Sequence, residues 1–313
     1  VVVYKNHVYN NGSPDCPGHP RCGLENDVHG VHSGLGSARV WIVDNHIHEN
    51  GGDSVQINGG INEPYPEYIY IGRNVMYHEG ENAVDIKTAK HVIISQNTMY
   101  GFGPTHFVSS GSDGTAVVIN DDNYINRLDN KIWVIYNTIY NSRNGIRTQA
   151  YANMMGNVIH DVDNSALITF GGHDAHFENN TVYNAVYGID RSGGAAQYKV
   201  TALNNVLQQV SSIQTSVKNS MLNSKFADNI YGGGTTYVWG GATYNSLAAF
   251  KTAQPTQCSG CAQSLVDFVN AGGKDFHLTS STQNGTAINQ AHPSAIYDVF
   301  QSLYGIDIKK DRD

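Results

Sequence analysis

The sequence predicts an all-β fold: a parallel β-helix over residues 1–235, with a C-terminal capping segment over 236–313. Three observations predict it. A four-residue motif recurs along most of the chain, strand-like runs flank each copy, and no amphipathic helix is long enough for a βαβ crossover. The motif is Asn-x-apolar-(Tyr/His/Gln), in eight copies that start at Asn6, Asn45, Asn74, Asn97, Asn137, Asn157, Asn180 and Asn205. The steps between successive asparagines are 39, 29, 23, 40, 20, 23 and 25 residues. A unit of about 20–25 residues therefore repeats, and the longer steps carry loop insertions, placed at 10–26, 58–66 and 101–130.

Upstream of each asparagine lies a β-rich run such as Val40-Trp41-Ile42-Val43 or His91-Val92-Ile93-Ile94. A second strand follows each motif after a Gly/Asn/Asp turn, as in Val55-Gln56-Ile57, Val84-Asp85-Ile86 and Ile146-Arg147-Thr148. Period-two alternation puts the flanking aliphatics inside and the middle residue outside. The asparagines then stack as an internal ladder, each side-chain amide meeting the next strand about 4.8 Å away.

The chain has 313 residues, 19 basic and 27 acidic side chains and a formal charge of −8. Without a Lys/Arg run, this balance excludes a nucleic-acid partner, which would be bound through clustered positive charge. No stretch reaches the roughly 18 consecutive apolar residues of a membrane helix. The four cysteines fall as two close pairs, Cys16 with Cys22 and Cys258 with Cys261. Two local disulfides in a secreted, extracellular or periplasmic protein are expected, with a targeting segment missing ahead of residue 1. Zinc is the rival at Cys258-Ser-Gly-Cys261, although the Cys16/Cys22 spacing does not supply the second half of a four-cysteine site.

On these repeats the chain resembles the right-handed parallel β-helix of the pectate-lyase-like superfamily, which includes polysaccharide lyases, some glycoside hydrolases and alginate epimerases. The resemblance covers about residues 1–235. The tail from Asp275-Phe276-His277-Leu278 to Gly305-Ile306-Asp307 resembles the closing segment of such secreted proteins, and is expected to cap the open end. Lyases of this superfamily commonly use Lys or Arg on the helix face, sometimes with Ca²⁺ held by acids. The resemblance therefore implies a catalytic cation on the groove, with calcium optional.

In-register stacking lines up two outward columns. The first runs His32, Gln56, Asp85, Val118, Arg147, Ile168 and Asp190; the second runs Gly34, Asn58, Lys87, Asn120, Gln149, Phe170 and Ser192. Polar groups concentrate between His32 and Gln149, which gives a groove suited to an extended acidic polysaccharide. Cleavage of a uronic-acid chain by β-elimination needs a neutralised carboxylate and a base for the C5 proton. Lys87 is the candidate base, held between the amides of Asn58 and Asn120 and partly desolvated; a plain ion pair with Asp85 is the alternative. Arg147, about 10 Å further on, is placed to bind the substrate carboxylate or to make a structural pair. His32 is a candidate proton donor, and Gln56, Asn58, Asp85, Asn120 and Gln149 are candidate sugar contacts. Asp85, Asp121 and Asp122 are the nearest thing to a calcium cluster.

Two histidine groups invite a metal reading: His29 with His32, and His46 with His48. The first two differ by three and do not share a strand face, and the second two are expected to stack or be solvated at a turn. Paired carboxylates for hydrolysis are not offered by adjacent strands, although loop acids such as Asp53 and Asp113 leave that chemistry open. A non-catalytic glycan-binding or structural protein is the competing class.

Overall fold

The computed structural model describes residues 1–12, 27–60, 64–103, 114–120, 132–170, 173–191, 198–217, 224–280 and 294–309. Cys16, Cys22, Asp113, Asp121, Asp122 and Ser192, with much of the 10–26 and 101–130 insertions, lie outside these residues. The chain is mostly β, built on two long sheets whose neighbouring strands are parallel almost throughout. Nine strands form one sheet, from Val2–Tyr4 through Ala38–Val43, Glu67–Gly72 and Lys90–Ser95 to Lys225–Ala227. Sixteen form the other, which is strongly curled. Three long strands, Val158–Thr169, Thr181–Arg191 and Val206–Val217, bend through both halves of it where the connecting turns contract to bulges.

The asparagine ladder sets the register. Asn6 donates from its side-chain amide to Asn45 Oδ1 (3.1 Å), and the pattern continues through Asn74, Asn97, Asn137, Asn157, Asn180 and Asn205 to Asn229 at 2.9–3.0 Å. Each Oδ1 also accepts the backbone N–H of the preceding asparagine, and each interior Nδ2 donates a second bond to a carbonyl of the pass before, as Asn97 does to Ile71 O (2.9 Å). Every polar atom of a buried amide is thereby paired, which is the condition for burying it at all. The ninth member, Asn229, escapes the sequence motif because Gly232 replaces the aromatic at its fourth position.

Two left-handed residues frame each copy. The residue before each ladder asparagine has φ between 53° and 65°, whether it is Lys5, Asp44, Arg73, Gln96, Tyr136 or Gly156. The residue four after it is again left-handed, as at Asn10, Glu49, His78, Gly101 and Asn141. These two corners bound a three-residue strand, so its third residue falls in one column. Tyr9, His48, Tyr77, Tyr100, Tyr140 and His160 stack there with ring centroids 4.5–5.3 Å apart and planes within 10°. From Tyr9 to His160 the fourth motif position is therefore aromatic because it faces its own copies. Gly156 is a requirement rather than a preference, since a Cβ there would sit 2.4 Å from the Tyr136 ring.

Between the sheets, inward aliphatics such as Ile42, Ile71, Ile94, Val134 and Met154 are fully buried. Each contributes about 1.5–3 kcal/mol by leaving water. Closure of the core comes from the antiparallel pair Tyr237–Trp239 and Ala242–Tyr244 and from helix α1 (Leu247–Ala253), which is capped by the Ser246 side chain. Its Phe250 stacks on Tyr237 at 5.5 Å. The described parts of the tail, 275–280 and 294–307, lie along the outside of the strands. Phe276 packs on His160 and Tyr183, and helix α2 (Ile296–Tyr304) packs Phe300 on Trp133 of the nine-stranded sheet. These apolar positions have partners on the outer faces of the strands, so the tail is drawn there rather than over the end.

Cys258 and Cys261 form a disulfide with Cα atoms 4.8 Å apart. Alkylation without reduction should leave both unmodified, and a peptide carrying label on either would refute the bond.

A second buried polar run lies one corner on. Asn11 donates to Asn50 (2.8 Å), and Asn50 donates from its backbone and side chain to Glu79 (2.5 and 3.1 Å), which also accepts from Ser54 Oγ (2.5 Å). Burial pushes the Glu79 carboxyl from 4.5 up to about 8, against those hydrogen bonds. The folded state therefore holds a proton that the unfolded chain releases, and stability falls as pH rises between about 4.5 and 8. Glu79→Gln should flatten that decline, with urea midpoints at pH 5 and pH 8 as the measure. An unchanged slope would remove Glu79 as its origin.

Candidate functional site

The first outward column is in register on the curled sheet. His32 pairs with Gln56, Gln56 with Asp85, Asp85 with Val118, Val118 with Arg147, Arg147 with Ile168 and Ile168 with Asp190. In the second column Gly34 pairs with Asn58, but a bulge after Ile57 sets Asn58 opposite Thr88, not Lys87. The cause is local. Thr88 turns its hydroxyl in to accept the Gly59 N–H at 2.6 Å, and Asn58 turns its own oxygen to Gly60 N at 2.9 Å. Asn58 is thus spent on its own turn, and Lys87 sits at the bulge on the Asn120 side.

Lys87 Nζ is 3.5 Å from Asp85 Oδ2, with about a third of its side chain exposed. Asn120 Nδ2 donates to Asp85 Oδ1 at 3.0 Å, and the Asn120 backbone is fixed by a 2.8 Å bond to Ile86 O. Asp85 itself is 2 % exposed and Gln56 5 %, so the two expected sugar contacts are a floor rather than a contact surface. Their column points outward, but Lys87 and Asn120 close over Asp85, and Gln56 donates inward to Asp53 Oδ2 at 3.3 Å. Arg147, two strands from Asp85, holds its guanidinium 4.4 Å over the Phe170 ring, and its buried Nε has no hydrogen-bond partner among the described residues. Burial pulls its pKa down and the Asp85 charge opposes that shift. Gln149 is half-buried just beyond, with its N–H on Ile119 O (2.7 Å), and His32 is exposed at the column's start.

Three residues enter the site that the column pattern passed over or set aside. His29 precedes the strand Val31–Gly34, so the turn, not strand alternation, directs its ring to within 6.0 Å of His32. Its Nδ1 accepts the Asp53 N–H at 3.1 Å, and its Nε2 faces Asp27 Oδ1 at 3.4 Å. Burial lowers its pKa, leaving a neutral imidazole at neutral pH. Asp53 is fully buried, and burial, then the charges of Asp85 and Glu81, drive its pKa far up. This carboxyl lies beneath Gln56 and is pushed toward its neutral form. The signal in the sequence was the loop acid Asp53 itself; the fold alone shows that it reaches the column.

Asp27, His29 and Asp53 are the described residues whose donor atoms gather closely enough for a cation, within 4.8 Å of one another. They suit calcium poorly, because Ca²⁺ takes six to eight oxygens and this set offers two carboxylates and an imidazole whose Nδ1 is already engaged. Asp85, expected as a calcium ligand, is engaged by Lys87 and Asn120.

On the other sheet, a cavity of about 700 Å³ opens between the strands and α2, lined by Trp41, Tyr68, Tyr70, His91, Tyr136 and Tyr304. Trp41 lies 5.5 Å from Tyr70, and Tyr68 stacks on His91 at 4.6 Å. Its walls are mostly aromatic and aliphatic, with Arg39, Arg73 and His91 among them, so it offers chiefly contact area. Among the described residues no helix is long and apolar enough to cross a membrane. No protein-family model, curated protein or solved structure matches the chain.

Proposed function

We propose that the two sheets are the walls of a right-handed parallel β-helix of the pectate-lyase-like kind, and that the chain is a secreted polysaccharide lyase acting on a uronic-acid glycan. The observation that carries this reading is the pair of basic side chains on adjacent outward columns. Lys87 pairs with Asp85, whose other oxygen accepts from Asn120, and Arg147 lies two strands beyond Asp85 with an unengaged donor. A uronate carboxylate against Arg147 would have its charge neutralised, which acidifies the C5 proton. Lys87, as its neutral amine, takes that proton; the electron pair forms the C4–C5 double bond and the C4–O bond breaks. His32, exposed at the column's start, supplies the proton to the leaving oxygen, directly or through water. Asp53, Gln56 and Asp85 hold the floor. No calcium is required by these steps.

The assay is a panel of uronic-acid polysaccharides followed by ultraviolet absorbance, since elimination creates an unsaturated uronate. Absorbance should rise with one or more of them. New reducing ends without absorbance would move the chemistry to hydrolysis, and inversion at C5 without chain cleavage would make the protein an epimerase using the same base. A non-catalytic glycan-binding role is favoured by one separate feature, the exposed Trp41 and Tyr68 rings on the other sheet. Binding without turnover, lost on Trp41→Ala, would establish that role instead.

A further inference from the structure

The outer face of the strand pair His7–Tyr9 and His46–His48 gathers three imidazoles, in a different part of the curled sheet from the groove column. Ile47 is buried, so His46 and His48 project from the opposite face of their strand. His7 pairs with His46 and Tyr9 with His48. The His7 ring leans along the diagonal, and its Nε2 meets His48 Nε2 at 2.5 Å. Two ring nitrogens this close share a proton in the metal-free protein, and opening the pair to about 3.3 Å would let both reach one cation.

The surroundings of His48 favour the cation. Its Nδ1 is 2.8 Å from Glu49 Oε2, so the carboxylate holds the proton on Nδ1 and leaves the Nε2 lone pair facing His7. That is the carboxylate–histidine arrangement which orients imidazole ligands on metals and raises their basicity. The ring is also clamped between Tyr9 (5.3 Å) and Tyr77 (4.5 Å), so its direction is fixed before any ligand arrives. The His46 ring is exposed, lies 6.1 Å from the His7 ring and makes no hydrogen bond or ion pair among the described residues. Rotation of its side chain can bring a third nitrogen to the same point.

We propose that His7, His46 and His48 form a site for a divalent transition metal, with zinc the best-matched ion and a water in the remaining position. Three neutral imidazoles suit Zn²⁺, Cu²⁺ or Ni²⁺, whereas Ca²⁺ and Mg²⁺ need oxygens that this face does not offer. The metal would tie the strand His7–Tyr9 to His46–His48 and stabilise the pair by its binding free energy.

The test titrates chelator-treated full chain with Zn²⁺ in competition with a chromophoric chelator, and follows thermal unfolding with and without the metal. One tight equivalent and a zinc-dependent rise in Tm are expected, with no response to Ca²⁺ or Mg²⁺. His46→Gln and His7→Gln, both at exposed positions, should each weaken binding roughly tenfold or more and suppress the Tm rise, while leaving the metal-free Tm near that of the parent. His29→Gln should leave the tight equivalent in place. No tight zinc, or zinc retained in both variants, would overturn the site. Loss of zinc in His29→Gln alone would overturn it in favour of the Asp27–His29–Asp53 group.

Discussion

Lys87→Ala should lower turnover of an acidic polysaccharide by about 10²–10⁴-fold while leaving oligosaccharide binding measurable. A general base acts on the proton in flight, so its removal is felt mainly in the transition state and appears in kcat more than in KM. The fold should survive. The side chain is partly exposed and truncation opens no cavity, and Asp85 keeps the Asn120 amide at 3.0 Å and the field of Arg147. Arg147→Ala separates the roles, because loss of the carboxylate clamp should raise KM as well as lower kcat. His29→Gln is the necessary companion, since a buried neutral imidazole near the same column could take the proton instead. Full activity in Lys87→Ala with none in His29→Gln would transfer the base to His29 and end the present assignment.

What the sequence made legible follows from what repeats. The ladder asparagines recur at the motif steps, and the first outward column follows each by 10 or 11 residues, save at His32 and Val118, where insertions stretch the gap to 26 and 21. The register offsets of 39, 29, 23, 40, 20, 23 and 25 residues are the motif steps themselves. Features that occur once were not legible. The bulge after Ile57 shifts Lys87 by one residue relative to Asn58, and nothing in Val55-Gln56-Ile57-Asn58 announces it. Asp53 and His29 join the site through turns on neighbouring passes, a proximity that alternation along one strand does not encode. The left-handed corners are hidden for a different reason. Lys5, Arg73, Gln96 and Tyr136 are not residues that favour positive φ, so the ladder amide that follows each one must hold the corner that their own preference would not.

That dependence makes the ladder the place where one substitution costs most stability. Asn97→Ala is expected to destabilise the protein by about 4 kcal/mol, as three buried groups lose partners at about 1–3 kcal/mol each with some relaxation. The Asn74 N–H and side-chain amide would lose their acceptor, and Ile71 O would lose its donor. The corner at Gln96, with φ of 58°, would lose the tie that holds it to the neighbouring pass. Against a typical total of about 5–15 kcal/mol, such a loss should appear as a large drop in urea midpoint or as failure to accumulate folded protein. Asn6→Ala is the control for the mechanism. The exposed Asn6 side chain only donates, to Asn45 and to Tyr4 O, and Asn45 Oδ1 keeps the Asn6 backbone N–H at 2.9 Å, so about 1 kcal/mol or less is expected. Asn97→Asp tests the polarity of the chain of bonds: a carboxylate still accepts from Asn74 but meets Ile71 O and Asn137 Oδ1 with no proton to give, so it should recover stability as the pH is lowered and the acid is protonated. Equal and small losses in Asn6→Ala and Asn97→Ala would mean that aliphatic packing alone sets the register, and that the ladder follows the fold rather than holding it.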